Sequence, residues 1–154
     1  MNFDDAFQQL IGNEGGYVNN PKDPGGETKY GISKRGYPNE DIVDMTLARA
    51  KVIYLLDYWT PAGCEMVIDD LRFDLFDMAV NQGVKTAIRA LQMVIGVTQD
   101  GIIGPDTLAA IYACHGNLIA RFNGARLLHY TVLPGWEQFG RGWANRIANN
   151  LLKA

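Results

Sequence analysis

Residues 69–95 read DDLRFDLFDMAVNQGVKTAIRALQMVI, and the spacing of their apolar side chains decides the fold class. Leu71, Leu75 and Met78 recur every three or four positions, and after Gly83 the set Val84, Ile88, Leu91 and Ile95 falls at i, i+4, i+7 and i+11. This is the period of an amphipathic helix, not the alternation of a half-buried strand. The period extends in both directions. Upstream, Phe3, Phe7, Leu10 and Ile11 mark a first helix running toward Glu14, and Leu47, Ala50, Tyr54 and Tyr58 line one side of a segment from Thr46 to Trp59. Downstream, Pro105 opens a short helix through Leu108 and Ile111, because proline suits the first helical position. Leu118, Phe122 and Ala125 mark a sixth helix, and Trp136, Phe139, Trp143, Ile147 and Leu151 a seventh that begins after Pro134 and Gly135. The expected class is all-α or mainly α.

One stretch breaks the pattern. Residues 12–36, GNEGGYVNNPKDPGGETKYGISKRG, hold seven glycines and two prolines, so no helix continues there. Irregular loops of this length are often functional. Within it, Thr28 to Ser33 has the makings of a small strand or hairpin.

A chain of 154 residues with 47% hydrophobic and 20% charged residues suits one helical domain with a cleft. No apolar run reaches the roughly 18 to 20 residues of a membrane span, and the acidic, amphipathic MNFDDAFQQL is unlike a signal peptide. Stable membrane insertion and ordinary export are both disfavoured. The net charge of -3 is unevenly spread: residues 1–106 carry nine basic and sixteen acidic groups, and residues 107–154 five basic groups against Glu137 alone. Arg121, Arg126, Arg141 and Arg146 are dispersed along helices and read as solvated charge, so nucleic acid is not an expected partner. Cys64 and Cys114 form no CxxC pair, and His115 and His129 lack zinc-ligand spacing. Buried thiols are expected, and no metal site.

Glu14 stands where the first helix gives way to the glycine-rich loop. A carboxylate at a helix C-terminus meets the negative end of the dipole, and apolar neighbours such as Ile11 or Tyr17 add desolvation; both favour the protonated acid. Taken alone, Glu14 is an ordinary surface side chain. Its neighbours change that reading. Asp23 and Thr28 follow in an E-x8-D-x4-T pattern around Pro24, Gly25 and Gly26. A loop folded back over its own helix would bring the Asp carboxylate and Thr hydroxyl opposite Glu14, as glycosidic cleavage by an acid and a second carboxylate requires. Asp23 also suits a plain Asp-Pro-Gly-Gly turn, and Glu27 and Lys29 read as solvent-exposed.

EGGYVNNPKDPGGETKYGIS resembles the N-terminal signature of glycoside hydrolase family 108, N-acetylmuramidases of phage endolysins and bacterial wall-lytic proteins. FDMAVNQGVKTAIRALQMVIGVTQDGIIGPDTLAAI is similar to the peptidoglycan-binding type 3 segment that accompanies it. The resemblance implies a lysozyme-like fold with at most a small hairpin, a catalytic region at 1–68 and a helical wall-binding region at 69–154 packed as one globular unit. It also implies Glu14 as the catalytic acid, cleavage of the β-1,4 bond after N-acetylmuramic acid, and no metal or organic cofactor. The Glu, Asp and Thr spacing is similar to the triad of phage-type lysozymes, with one residue fewer between Asp23 and Thr28. If those roles carry over, Asp23 activates water, Thr28 helps hold it and the reaction inverts; otherwise Glu27 is the nearest alternative carboxylate.

For sugar binding, the chain offers Tyr30, Tyr58, Trp59, Asn81, Gln82 and Tyr112. Asn81 and Gln82 are equally suited to ending a helix, and Tyr58 and Trp59 to filling a core. Trp136 and Trp143 fit the core stripe of the last helix. The expected partner is bacterial peptidoglycan and the expected state a monomer, held in a host cytoplasm until release to the wall or exported by a specialised route. A non-catalytic peptidoglycan-binding module is the alternative from another class.

Overall fold

Residues 1–12, 16–19 and 26–153 are described by the computed structural model. They form two compact units, one of residues 2–57 and one of residues 58–154 with Met1.

The first unit begins with α1 (Phe3–Ile11). Asn2 caps it by accepting the Asp5 amide at 2.9 Å, and Asp4 and Asp5 put negative charge at the positive end of the helix dipole. Ala6 and Phe7 are fully buried, and the Phe7 ring lies 5.5 Å from that of Tyr54 on α2 (Leu47–Tyr54). Lys51 of α2 bridges to Asp4 at 2.8 Å. Between these helices the chain makes β1 (Val18–Asn19), β2 (Glu27–Lys29) and β3 (Ile32–Ser33), an antiparallel sheet in that order. The small β element expected at Thr28 to Ser33 therefore gains a third strand. After α2 the chain widens into a π-helical turn, Leu55–Trp59, so the segment expected from Thr46 to Trp59 is helical in two styles.

The second unit holds α3 (Asp69–Gln82), α4 (Val84–Ile95), α5 (Pro105–Ala113), α6 (Leu118–Thr131) and α7 (Trp136–Lys153). The mainly helical class read from the periodicity is the observed one, in keeping with a lysozyme-like fold. Helix α3 packs on α4 and α6, and its Leu71, Phe73, Leu75, Phe76, Met78 and Ala79 are all buried. A helix buried on most sides is the centre of its unit. Gln92 of α4 holds the following loop: its amide donates to Asp100 Oδ1 at 2.7 Å and to the Ile102 carbonyl at 3.0 Å, and its oxygen accepts from the Gly101 amide at 2.9 Å. No helix among the described residues is long and apolar enough to cross a membrane.

The centre of this unit is not wholly apolar. Asp74 and Asp77, one turn apart on α3, are buried, and so is Arg126 of α6 at 0% exposure. Arg126 donates to Asp74 at 3.0 Å and to Asp77 at 2.5 Å, Asn123 to Asp74 at 2.8 Å, and Arg146 of α7 to Asp77 at 2.8 Å. Asn150 of α7 reaches both carboxylates, at 3.0 and 3.1 Å. The expectation that Arg126 is solvated charge is thus corrected; Arg121, Arg141 and Arg146 are exposed. Of the aromatic stripe on α7, Trp136 and Trp143 are half-buried, Ile147 is buried, and Phe139 and Leu151 are exposed. Cys64 is buried, and burial pushes its thiol far above the usual range; Cys114 is half-buried, and both are free.

Asp77→Asn is expected to destabilise the protein by about 3 kcal/mol or more, because it leaves two arginines short of a buried counter-charge. Arg146→Gln, which removes only the partly exposed partner, should cost about 1 kcal/mol or less. Urea midpoints at neutral pH test this order; equal costs would place the anchor elsewhere.

Candidate functional site

Glu14 and Asp23 lie outside the described residues, so the site is built from the strands that flank them in sequence. β1 pairs with β2 through Val18↔Thr28 and Asn19↔Glu27, and β2 with β3 through Thr28↔Ser33 and Lys29↔Ile32. Successive strand residues point to opposite faces. Thr28 therefore shares a face with Val18 and Ser33, and Glu27 points the other way with Asn19. Thr28 is half-buried, with its hydroxyl 3.4 Å from the Gly26 carbonyl, a long contact.

Glu27 is already engaged. The Tyr17 hydroxyl donates to its Oε1 at 2.8 Å, a bond that raises the phenol pKa above its ordinary value. Lys29 donates to the Val43 carbonyl at 2.7 Å and lies 5.7 Å from the centroid of the Tyr30 ring, a cation–π arrangement. Glu27 and Lys29 are half-buried and partnered, which corrects their reading as merely exposed charges.

The turn that presents Thr28 is tight. Lys29 and Ile32 pair across the two-residue loop Tyr30–Gly31, and both loop residues have positive φ, 51° and 77°. Such loops suit the twist of a hairpin, and glycine adopts them without strain. The Tyr54 hydroxyl passes over Gly31 to donate to the Tyr30 carbonyl at 3.1 Å. A Cβ on Gly31 would meet that hydroxyl at 2.3 Å. Tyr30 is thereby a half-buried turn residue whose backbone is strained and pinned.

The other expected sugar-binding residues belong to the second unit. Tyr58 is half-buried. Trp59 is fully buried, its ring 5.3 Å from Phe76 in an edge-on contact and its indole N–H donating to Glu65 at 2.9 Å. It is a core side chain with no face to offer a sugar. Asn81 and Gln82 share the last turn of α3 but look to different partners. Asn81 donates to the carbonyl and carboxylate of Asp77 at 2.7 and 3.2 Å, and Gln82 Oε1 lies 3.3 Å from His129 Nε2. Tyr112 is exposed, its hydroxyl donating to the Met66 carbonyl at 3.1 Å. The DGIIGPDTL segment contributes Asp100, Gly104, Pro105, Asp106 and Thr107 to an open groove of about 580 Å³. Sequence reading passed over Tyr17 as a partner for Glu27, because the strand pairing that joins two residues ten positions apart leaves no period in the sequence.

The family model described as glycosyl hydrolase 108 matches residues 7–83. Among solved structures, the chain is similar to that of Brucella abortus SagA, with a TM-score of 0.86 and 32% identity over 96% of this chain and 90% of that chain. No match was found among the curated proteins.

Gly31→Ala is expected to lower stability by about 1–3 kcal/mol, since it adds a strained conformation to a clash. Thermal melts of the variant and of Gly31→Ala combined with Tyr54→Phe separate the two causes: loss of the hydroxyl should return part of the deficit.

Proposed function

The chain belongs to the glycosyl hydrolase 108 family, and from that premise we propose that it is a peptidoglycan N-acetylmuramidase acting on the β-1,4 bond between N-acetylmuramic acid and N-acetylglucosamine. The observation that carries this reading is the reach of the family match: residues 7–83 take in Glu14, Asp23 and Thr28 together. Glu14 is the general acid. Its proton passes to the glycosidic oxygen as the bond to the anomeric carbon breaks, and the departing sugar leaves as an alcohol. Asp23 takes a proton from the water whose oxygen forms the new bond at that carbon, and Thr28 helps to hold that water. Attack from the opposite face inverts the configuration.

Two observations support Asp23 over Glu27 as the second carboxylate. Glu27 accepts the Tyr17 hydroxyl, and strand alternation turns it away from the face of Thr28. A water held by Thr28 and deprotonated by Glu27 would have to reach both faces of one strand. Residues 69–154 supply wall binding, and the protein works as a monomeric endolysin. The rival reading, a binding module that keeps the fold without the chemistry, has no use for an acid set beside a polar loop.

Glu14→Gln is expected to sediment with insoluble peptidoglycan as wild type does and to lose about 100-fold or more of reducing-end release, with an unchanged melting temperature. Unchanged hydrolysis would move the acid elsewhere, and wild-type protein that binds the wall without cleaving it would establish the binding module.

Glu27→Gln should retain most of its turnover, whereas Asp23→Ala falls strongly and Thr28→Val less so, in steady-state assays on purified peptidoglycan. A loss at Glu27 as deep as that at Asp23 would reassign the second carboxylate.

A further inference from the structure

The second unit carries a groove of about 480 Å³ along the seam of α4 and α6, apart from the residues assigned to catalysis. Thr86, Arg89, Ala90 and Met93 stand at i, i+3, i+4 and i+7 on α4, and Ala125, Leu128 and His129 at i, i+3 and i+4 on α6. Such spacings put each set on one helix face. The alanines are short and leave the seam open; Ala125 is buried as its floor. Met93 and Leu128 form exposed apolar walls, at 50% and 69% exposure. The lining has no acidic side chain, and its charge is basic.

Arg89 is the informative group. It makes no hydrogen bond or ion pair among the described residues. The nearby Asp100 spends its Oδ1 on the Gln92 amide at 2.7 Å and the Ile102 amide at 2.9 Å, and these bonds, with the charge of Arg89 as a lesser cause, hold its carboxyl below the ordinary carboxylate range. A planar guanidinium with no hydrogen-bond partner among the described residues, beside small apolar side chains, suits a carboxylate held bidentately, with methyl groups packed below it. His129 adds a second polar nitrogen, close to Gln82.

We propose that this groove binds the stem peptide of peptidoglycan, with Arg89 on a stem carboxylate and alanine methyl groups against Ala90, Ala125, Met93 and Leu128. The inference rests on the wall-substrate reading above and deepens it, since it gives the second unit a ligand of its own: an extended, acidic, alanine-bearing peptide. The volume is that of an ordinary small-ligand site. Holding the stem would raise the local concentration of glycan at the catalytic region by tethering alone.

The test is an NMR titration of the full chain with synthetic L-alanyl-γ-D-glutamyl-L-lysyl-D-alanine, and with the same peptide amidated at both acids. Saturable shifts confined to α4 and α6 are expected for the free acid only. Arg89→Gln and Leu128→Glu should each weaken binding by about tenfold or more; both positions are exposed, so the fold is not at stake. On intact peptidoglycan, Arg89→Gln should raise KM and leave kcat unchanged, with no effect on glycan stripped of its stems by an amidase. Absent saturation, equal binding of the amidated peptide, unaffected variants, or a concentration-dependent dimer dissolved by Leu128→Glu would each overturn the proposal. Cleavage is not needed for the titration, so stem binding without reducing-end release would fault the muramidase reading alone, and release without stem binding would fault the groove alone.

Discussion

Arg126 is held at the centre of the helical unit by two carboxylates from one turn of α3, and the arrangement of the helices around it follows from the need to satisfy that charge. Burial pulls the guanidinium toward its neutral form, but Asp77, Tyr130 and Asp74 more than offset this and keep its pKa above the ordinary value. Asp74 feels the opposite balance. Burial raises its pKa despite the pull of Arg126 and the amides of Asn123 and Asn150. A carboxylate with a raised folded pKa gives its full contribution to stability below the ordinary carboxylate range and loses it as pH rises through the raised value. At neutral pH the network is therefore less an energetic gain than a set of obligations. Helices α6 and α7 must present Arg126, Asn123, Arg146 and Asn150 to α3 in one register, or charge is left buried without a partner.

In the smaller unit a single hydroxyl has a comparable role. Tyr54 packs its ring against Phe7 of α1 and spends its hydroxyl on the Tyr30 carbonyl, so helix α2 and the β2–β3 turn are joined through one side chain. The turn needs a residue without a Cβ beneath that hydroxyl. Gly31 supplies it, and the register that results carries Thr28 to the face opposite Glu27. Glu27 and Tyr17 then form a pair on the far side of the same strand.

The two units divide the chemistry along the chain. The glycine-rich stretch with Glu14, Asp23 and Thr28 belongs to residues 2–57, and the grooves of about 580 and 480 Å³ belong to the helical unit. Charge follows a different boundary: the surplus of acids lies before residue 107 and the basic surplus after it, within the helical unit.

Much of this was legible in the residues alone. Helical periodicity located α1 and α3 to α7, because each helix has one face to bury and the period records it. Pro105 marked a helix start, and Pro134 and Gly135 the break before the last helix, through backbone chemistry that no neighbour alters. The contiguous stretch EGGYVNNPKDPGGETKYGIS pointed to the family, because a signature of that kind needs no tertiary contact to be read. What the sequence could not decide was the environment of individual side chains. Arg126 resembles any other helical arginine until α3 presents Asp74 and Asp77 to it. Trp59 has the composition of a stacking platform until Phe76 covers it, and Glu27 and Thr28 are neighbours in sequence that the sheet turns to opposite faces. Burial and pairing depend on which distant elements meet, and a one-dimensional period does not carry that information; only the tertiary structure supplied it.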